Sequence, residues 1–269
     1  MKKCAVINDI SGFGKCSLVA TLPILACMQV EAKPFPTAVL SNQTAYDSYF
    51  MHDLGNIMSD YSQQWQKLGA SFDGIITGFV ANEKQFDQVF DFIKQYKTNS
   101  TLLVVDPIMA DDGALYDNYS SAMCQKVKQL CLMANVITPN CTELSILCNK
   151  PYTTDVNLLC EYAQSLITPT LTDVIVTGVV NGDTITNICV CKDGATLINA
   201  PYINGSFSGT GDIFTAIVCG SLLNGKNIAY AVETAQDFIE KSIKSTNVTD
   251  SRNGIDFEYH LEDLICKND

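Results

Sequence analysis

The strongest constraint on this chain is a set of six short runs that are apolar almost without interruption: CAVIN (4–8), TAVLS (37–41), GIITGFV (74–80), TLLVVDP (101–107), NVITP (135–139) and DVIVTGV (173–179). A strand with one wet face alternates apolar and polar residues, whereas a strand covered on both faces need not. Between the runs lie segments with the apolar spacing of helices, at 17–30, 51–68, 83–97, 120–133, 142–148 and 155–167. Strands alternating with helices require crossover connections, so the expected fold is an α/β/α sandwich of three layers around a mainly parallel central sheet. After residue 180 the rhythm changes. TITNICVCKDG and ATLINAPYI read as a hairpin turned at Asp193–Gly194, and helices over 212–224, 226–246 and 257–266 complete the chain.

A chain of 269 residues that is 47% apolar can bury one large core, and the expected organisation is a single domain over residues 1–269. The net charge is −12 and Arg252 is the only arginine, which argues against a surface that tracks nucleic-acid phosphates. An anionic substrate must then be held by backbone amides, helix N-termini, a metal ion or a few lysines. MKKCAVINDISGFG has neither a sustained apolar stretch nor a small-residue cleavage site, and no segment has the length of a membrane span. The expected location is the cytoplasm, with no membrane partner. Twelve cysteines without any C-x-x-C fit buried thiols in a reducing compartment, Cys189 and Cys191 on one face of a strand included.

Ligands of such sheets bind beyond the carboxyl ends of the strands. The residues found there are Asn8, Asp9 and Ser11, Asn42 and Gln43, Asp106, Asn140 and Glu143, and Thr177–Gly178. Each alone reads as a turn or a helix cap, but several on one edge suggest a site. DISGFGKCS is not a P-loop: Asp9 occupies the first required glycine, and Cys16 follows the lysine where a hydroxyl should meet the metal. Neither GFGKCS nor GTGDIF completes a G-x-G-x-x-G fingerprint, since Ser17 and Phe214 stand at the last glycine.

The stretch INGSFSGTGDIF (203–214) precedes a helical apolar run. Gly209 and Gly211 permit positive φ and close backbone approach, so the turn can present amides as an anion hole at a helix N-terminus. Asp212 in a first helical turn is ordinary dipole compensation. Beside an anion hole, a carboxylate also serves phosphoryl transfer: the amides stabilise the transferred group while the carboxylate accepts the alcohol's proton. Acidic residues at neighbouring strand ends, Asp106 and Glu143, suit metal-bridged phosphates.

GSFSGTGDIF resembles the G-x-G-D signature of the ribokinase superfamily, and VVDPIMADDGALY and ITPNCTELSIL resemble its D-P-[VI]-M and T-P-N-x-x-E segments. INDISGFGKCSLVATLPIL and FPTAVLSNQTAY are similar to the pyridoxal kinase branch, and the matches run in family order from about residue 5 to 245. The resemblance implies an ATP-dependent kinase acting on the hydroxymethyl group of a pyridine-type vitamin. Asp212 would be the base and the amides of Gly209, Thr210 and Gly211 the anion hole. Asp106 and Glu143 would organise Mg²⁺, and Asn140 and Thr177 would lie beside the ATP phosphates. Asp9, Ser11, Thr37, Gln43 and Phe79 would line the substrate pocket. Members are typically homodimers, often helped by K⁺.

The residues also admit plainer readings. Thr37 suits a strand, Phe79 suits a core, Glu143 can close a capping arrangement with Asn140, Asp111 and Asp112 suit a solvated turn, and Lys15 suits the surface. Gln43, Asp9 and Phe79 stand where histidine, serine and tyrosine are frequent in the branch, which bears on the exact substrate. The nearest alternative is a hydroxymethylpyrimidine or phosphomethylpyrimidine kinase, many of which carry cysteine where this chain has Asp212. A sugar kinase and a non-catalytic ligand sensor are more distant alternatives.

Overall fold

The computed structural model describes residues 1–247 and 250–265. In chain order the strands are β1 Lys2–Ser11, β2 Val30–Leu40, β3 Met51–Asp53, β4 Gly74–Thr77, β5 Leu102–Val105, β6 Ala110–Asp111, β7 Ala114–Leu115, β8 Val136–Ile137, β9 Asp173–Asn181, β10 Thr184–Cys191 and β11 Gly194–Pro201. The α-helices are α1 Ser17–Cys27, α2 Gly55–Lys67, α3 Glu83–Tyr96, α4 Ser121–Met133, α5 Cys141–Cys148, α6 Val156–Leu166, α7 Thr210–Leu223 and α8 Ile228–Ser245. The chain divides into two compact units, Met1–Thr101 with Ile203–Asp269, and Leu102–Tyr202. None of the described helices is long and apolar enough to cross a membrane.

In the first unit β1 pairs in parallel with both β2 and β4, and β3 adds an antiparallel edge to β2. Alternation along β1 sends Cys4 and Ile7 to opposite faces. On one face the Cys4 sulfur lies 4.0 Å from that of Cys219 in α7, and Leu223 of the same helix fills the space a Cβ on Gly74 would need. On the other face Phe35, the register partner of Ile7, packs edge-on against Tyr61 and Trp65 of α2 and at 4.6 Å against Phe92 of α3. Both faces are thus covered by helices, which accounts for the unbroken burial of Cys4 through Ile7.

In the second unit β5, β8 and β9 run parallel, and β9, β10 and β11 continue as an antiparallel meander. Leu103, Val105, Ile137, Val174 and Val176 are buried together with Leu144, Leu147 and Leu159 of the helices. β6 and β7 form a small hairpin, with Asp112 at φ +47 and Gly113 at φ +81. Two consecutive positive φ values suit the right-handed twist of a two-residue hairpin, and Asp-Gly is a sequence that adopts them readily.

The departures from the sequence expectations have local causes. The first helix stops at Cys27 instead of residue 30, because Gln29 turns back at φ +58 and feeds β2. β2 starts at Val30, seven residues before the expected strand, and contains Pro34 and Pro36. These stand two apart, so their missing N–H groups face one side, and β3 covers β2 only at Ala38–Leu40. Residues 51–53, expected to be helical, pair with β2; Asp53 then accepts the Gly55 amide at 2.7 Å, and the helix begins there. The late hairpin turns one residue earlier than expected, with Cys191 opposite Gly194. The expected helix 257–266 is a 3₁₀ segment over Phe257–Leu264, and residue 266 lies outside the described residues.

Candidate active site

In the first unit the site grows from an irregularity in the sheet. The β1–β2 register slips between Asn8 and Ile10, where Asn8 faces Pro36 but Ile10 faces Val39. Such bulges re-aim side chains at strand ends. Here the re-aimed residues are Asn8 and Asp9, both buried. Asn8 donates Nδ2 to Asp212 Oδ1 at 2.8 Å, while its Oδ1 accepts the amides of Phe79 at 2.8 Å and Asp9 at 3.0 Å. The carboxamide fits only because residue 78 is glycine: a Cβ there would stand 2.5 Å from Asn8 Nδ2.

Asp212 lies in the first turn of α7, as the sequence predicts, yet its side chain does not cap that helix. Its second oxygen, Oδ2, accepts the amide of Ser17 at 2.8 Å. Ser17 has φ +53, left-handed backbone that is costly for a residue with a Cβ, at the start of α1. Its hydroxyl donates to Asp9 Oδ1 at 2.5 Å, and Ser11 donates to Asp9 Oδ2 at 2.8 Å. Burial pushes the Asp212 carboxyl up to about 6; the Ser17 amide opposes the shift, the nearby Asp9 charge adds to it, and the Asn8 bond opposes it. A carboxyl so placed is ionised at neutral pH and close to the range that suits a general base. Burial also raises the Asp9 carboxyl, against the bonds from Ser17 and Ser11.

The turn before α7 is built by close approach. Gly209 caps the helix at φ +82, and a Cβ on it would stand 2.1 Å from the Lys15 carbonyl oxygen. α7 starts at Thr210, two residues before the expected position, and its first internal bond runs from the Ile213 amide to the Gly209 carbonyl. The amides of Thr210, Gly211 and Asp212 therefore belong to the first turn, where the helix offers no acceptor. Gly211 is exposed.

The other expected pocket residues join the same network. Thr37 is buried and donates Oγ1 to the Phe79 carbonyl at 2.9 Å, so the Phe79 backbone is clamped between Thr37 and Asn8, with the residue half-buried. Gln43 gives its amide protons to Ser208 Oγ at 3.0 Å and the Arg252 carbonyl at 2.8 Å, and accepts the Ala45 amide at 2.8 Å. It ties the segment after β2 to the glycine turn. Lys15 is not a free surface lysine: it is 22% exposed and pairs with Asp256 and, at 2.8 Å, with Glu258. Sequence pattern alone gives no role to Ser17 or Gly78 and makes Asn8 one polar residue among several. A lone glycine closing an apolar strand, in IITG, was the available signal for Gly78.

In the second unit Asn140 and Glu143 form a reciprocal cap on α5: the Glu143 amide donates to Asn140 Oδ1 at 2.9 Å and the Asn140 amide to Glu143 Oε2 at 2.9 Å. Glu143 Oε1 also accepts the Met109 amide at 3.2 Å. The plainer capping reading is therefore realised, but it leaves a buried carboxyl beside Asp106. Burial, and then the Asp106 charge, hold Glu143 well above the usual carboxylate range against those two amide bonds. Asn140 Nδ2 reaches the Ala110 carbonyl at 2.8 Å and Gly113 donates to Thr142 Oγ1 at 2.9 Å, so the Asp111–Asp112 turn is anchored on α5. Thr177 pairs with Asn140 through an isolated parallel bridge and precedes Gly178 at φ +71.

Among the described residues no three His, Cys, Asp or Glu side chains are grouped to hold a metal by themselves. Mg²⁺ is commonly held by one or two carboxylates with waters and substrate phosphates completing its shell. The Asp106–Glu143 pair, two acids whose mutual repulsion a cation would relieve, fits that mode.

The whole chain has the mixed α/β fold, with a mostly parallel sheet and surrounding helices, of a Bacteroides thetaiotaomicron protein described as a phosphomethylpyrimidine kinase. The TM-score is 0.94 at 36% identity, over 99% of this chain and 95% of that one. A second crystal form of that protein contains pyridoxal and matches at 0.92 with 35% identity, over 98% and 95% of the two chains. Pyridoxal kinase from Lactobacillus plantarum superposes at 0.91 with 28% identity, over 98% and 96%. A Schizosaccharomyces pombe protein named as a pyridoxal kinase is 28% identical over 216 residues, 74% of this chain and 61% of its own length. The match thus spans less than two thirds of that relative. The phosphomethylpyrimidine kinase family model matches residues 29–255, and the chain belongs to that family.

Proposed function

We propose that the chain is an ATP-dependent kinase that phosphorylates the 5′-hydroxymethyl group of pyridoxal, pyridoxine or pyridoxamine, a salvage route to pyridoxal 5′-phosphate. The observation that carries this reading is Asp212: half-buried, held at both oxygens by Asn8 and Ser17, and raised to about 6. It accepts the alcohol's proton as the new P–O bond forms, while the amides of Gly209, Thr210 and Gly211 receive the charge of the transferred group. Thr37, Gln43, Phe79 and Ser11 shape the wall on which the ring rests, with Asp9 holding Ser11 in place. Asn140 and Thr177 lie by the ATP phosphates. Asp106 and Glu143 would hold Mg²⁺, which would neutralise phosphate charge.

Support for a pyridoxal-type substrate comes from the Bacteroides relative crystallised with pyridoxal and from the Lactobacillus pyridoxal kinase. The family description favours a second reading, a kinase of hydroxymethylpyrimidine and its phosphate. A phosphate-bearing substrate calls for a cation in the ring pocket. Lys15 is the only one in segments 8–15 and 36–46, and it is already turned to Asp256 and Glu258.

A homodimer in the cytoplasm, aided by K⁺, completes the proposal. Exposed Ile10, Phe13, Val39 and Phe50 offer apolar surface for self-association. A coupled ADP-release assay over pyridoxal, pyridoxine, pyridoxamine, hydroxymethylpyrimidine and ribose tests the substrate class. Turnover of the three pyridines is expected. Preference for the pyrimidine would favour the second reading, and no turnover of any would favour a ligand sensor. Asp212→Asn should lose ~10²–10⁴-fold in kcat, the range of general-base catalysis.

A further inference from the structure

Asp9 is a buried acid that the proton transfer above does not use. It is 4% exposed, and both of its oxygens are taken by serine hydroxyls, Ser17 on Oδ1 and Ser11 on Oδ2. Among the described residues no lysine, arginine or histidine pairs with it. A buried carboxylate without a counter-ion is costly, so its position calls for a physical reason.

Ser17 supplies that reason. One residue carries two bonds in different directions: its amide to Asp212 Oδ2 and its hydroxyl to Asp9 Oδ1. The amide can point at Asp212 only while the backbone keeps φ +53, a conformation that a serine adopts at a cost. Such strain persists where the surroundings over-determine it. The hydroxyl bond to a carboxylate, stronger than a bond to a neutral acceptor, is the side-chain restraint on that backbone.

We propose that Asp9 is a positioning residue for Asp212, acting through Ser17: its carboxylate holds the Ser17 hydroxyl and so fixes the left-handed turn that aims the Ser17 amide at the base. The inference rests on the reading of Asp212 as the general base. Asp9 has a second, electrostatic effect, since its charge opposes ionisation of Asp212. The other groups facing Asp212 are Asn8 from β1 and Cys16 ahead of α1, whose thiol is pushed up to about 12 and stays neutral. Lys15, on the same loop, is committed to Asp256 and Glu258.

The decisive experiment is a carboxyl-carbon NMR titration of the full chain labelled at aspartate, with Asp212→Asn assigning the resonance. Ser17→Ala, which leaves the Asp9 charge in place but removes the hydroxyl that Asp9 holds, should raise the Asp212 titration midpoint by roughly half a unit or more, because the Ser17 amide bond that opposes protonation is lost. An unchanged midpoint overturns the inference. Steady-state kinetics supply the second arm. Asp9→Ala should reduce kcat about tenfold with little change in KM, as a misplaced base does. The double variant Asp9→Ala/Ser17→Ala should be no worse than the weaker single variant, because both remove one shared restraint. Additive losses, or a loss carried by KM, would mean that Asp9 touches the substrate instead. If no compound is turned over, the kinase reading fails, and the titration alone still decides the role of Asp9.

Discussion

Asn8 and Asp212, 204 residues apart in sequence, meet side chain to side chain at 2.8 Å, and the bond joins the C-terminal end of β1 to the first turn of α7. The direction of the bond matters. Asn8 Oδ1 is held by the amides of Phe79 and Asp9, so the carboxamide cannot flip and must present its N–H to the carboxylate. The base is therefore oriented by a group that is itself fixed at two points.

Asn8→Ala removes the donor to Asp212 and leaves two amides without their acceptor, each costing about 1–3 kcal/mol when buried. The variant should melt several degrees lower and lose up to about 10²-fold in kcat, in line with misplacement of a reacting group. Asn8→Asp separates the effects: a second carboxylate at 2.8 Å from Asp212 should move the acid limb of the kcat/KM profile to higher pH. A limb that stays in place would show that Asn8 does not face the titrating group.

Gly209 and Gly225 test whether conformation or proximity governs the glycine turn. Both have positive φ, +82 and +77, but a Cβ on Gly225 meets nothing within 4 Å whereas one on Gly209 would overlap the Lys15 carbonyl. Gly225→Ala should cost only the left-handed penalty, about 1–2 kcal/mol. Gly209→Ala should cost clearly more in urea unfolding and abolish most turnover, because the 12–17 loop that carries the Ser17 amide must shift. Equal costs at the two positions would dismiss the close-approach argument.

The parts legible in the sequence were those set by local pattern. Apolar runs gave the buried strands, and the paired glycines with Asp212 marked the turn. What was not legible depends on contacts between distant segments. Nothing in VEAKPFP announces a strand, since the two prolines are tolerated only where the neighbouring edge is open. The role of Asn8 depends on Gly78, seventy residues away, having no Cβ. The resemblance makes Gln43 a pocket residue, but its bonds to Ser208 and the Arg252 carbonyl arise only when the chain ends have folded back. Glu143 shows the opposite case: the N-x-x-E spacing admits a cap and a metal ligand, and one carboxyl can serve both.

Glu143→Gln should raise the Mg²⁺ concentration needed for half-maximal activity several-fold, since a neutral amide binds a hard cation poorly. One of the two amides now bonded to Glu143, from Met109 or Asn140, loses its acceptor, while the repulsion with Asp106 disappears. The two effects oppose each other, so thermal stability should change little. An unchanged metal dependence would leave Glu143 as a helix cap alone.

The raised Asp212 carboxyl couples activity to stability with opposite signs. Its value is about 6 in the folded chain against an ordinary 3.8, so the fold favours the protonated acid. The stabilising contribution is complete below pH 3.8, fades as pH rises toward 6 and is lost above it. Catalysis needs the ionised form, so kcat/KM should fall below about pH 6 with unit slope. Asp212→Asn cannot titrate, and it sets a donor against the fixed Asn8 amide, so its absolute stability carries an offset. The informative quantity is the difference between wild type and variant in unfolding free energy. It should decline as pH rises from 4 to 7 and be flat above, whatever the offset; a difference independent of pH would show that Asp212 titrates normally, and the base would then need another source for its proton affinity.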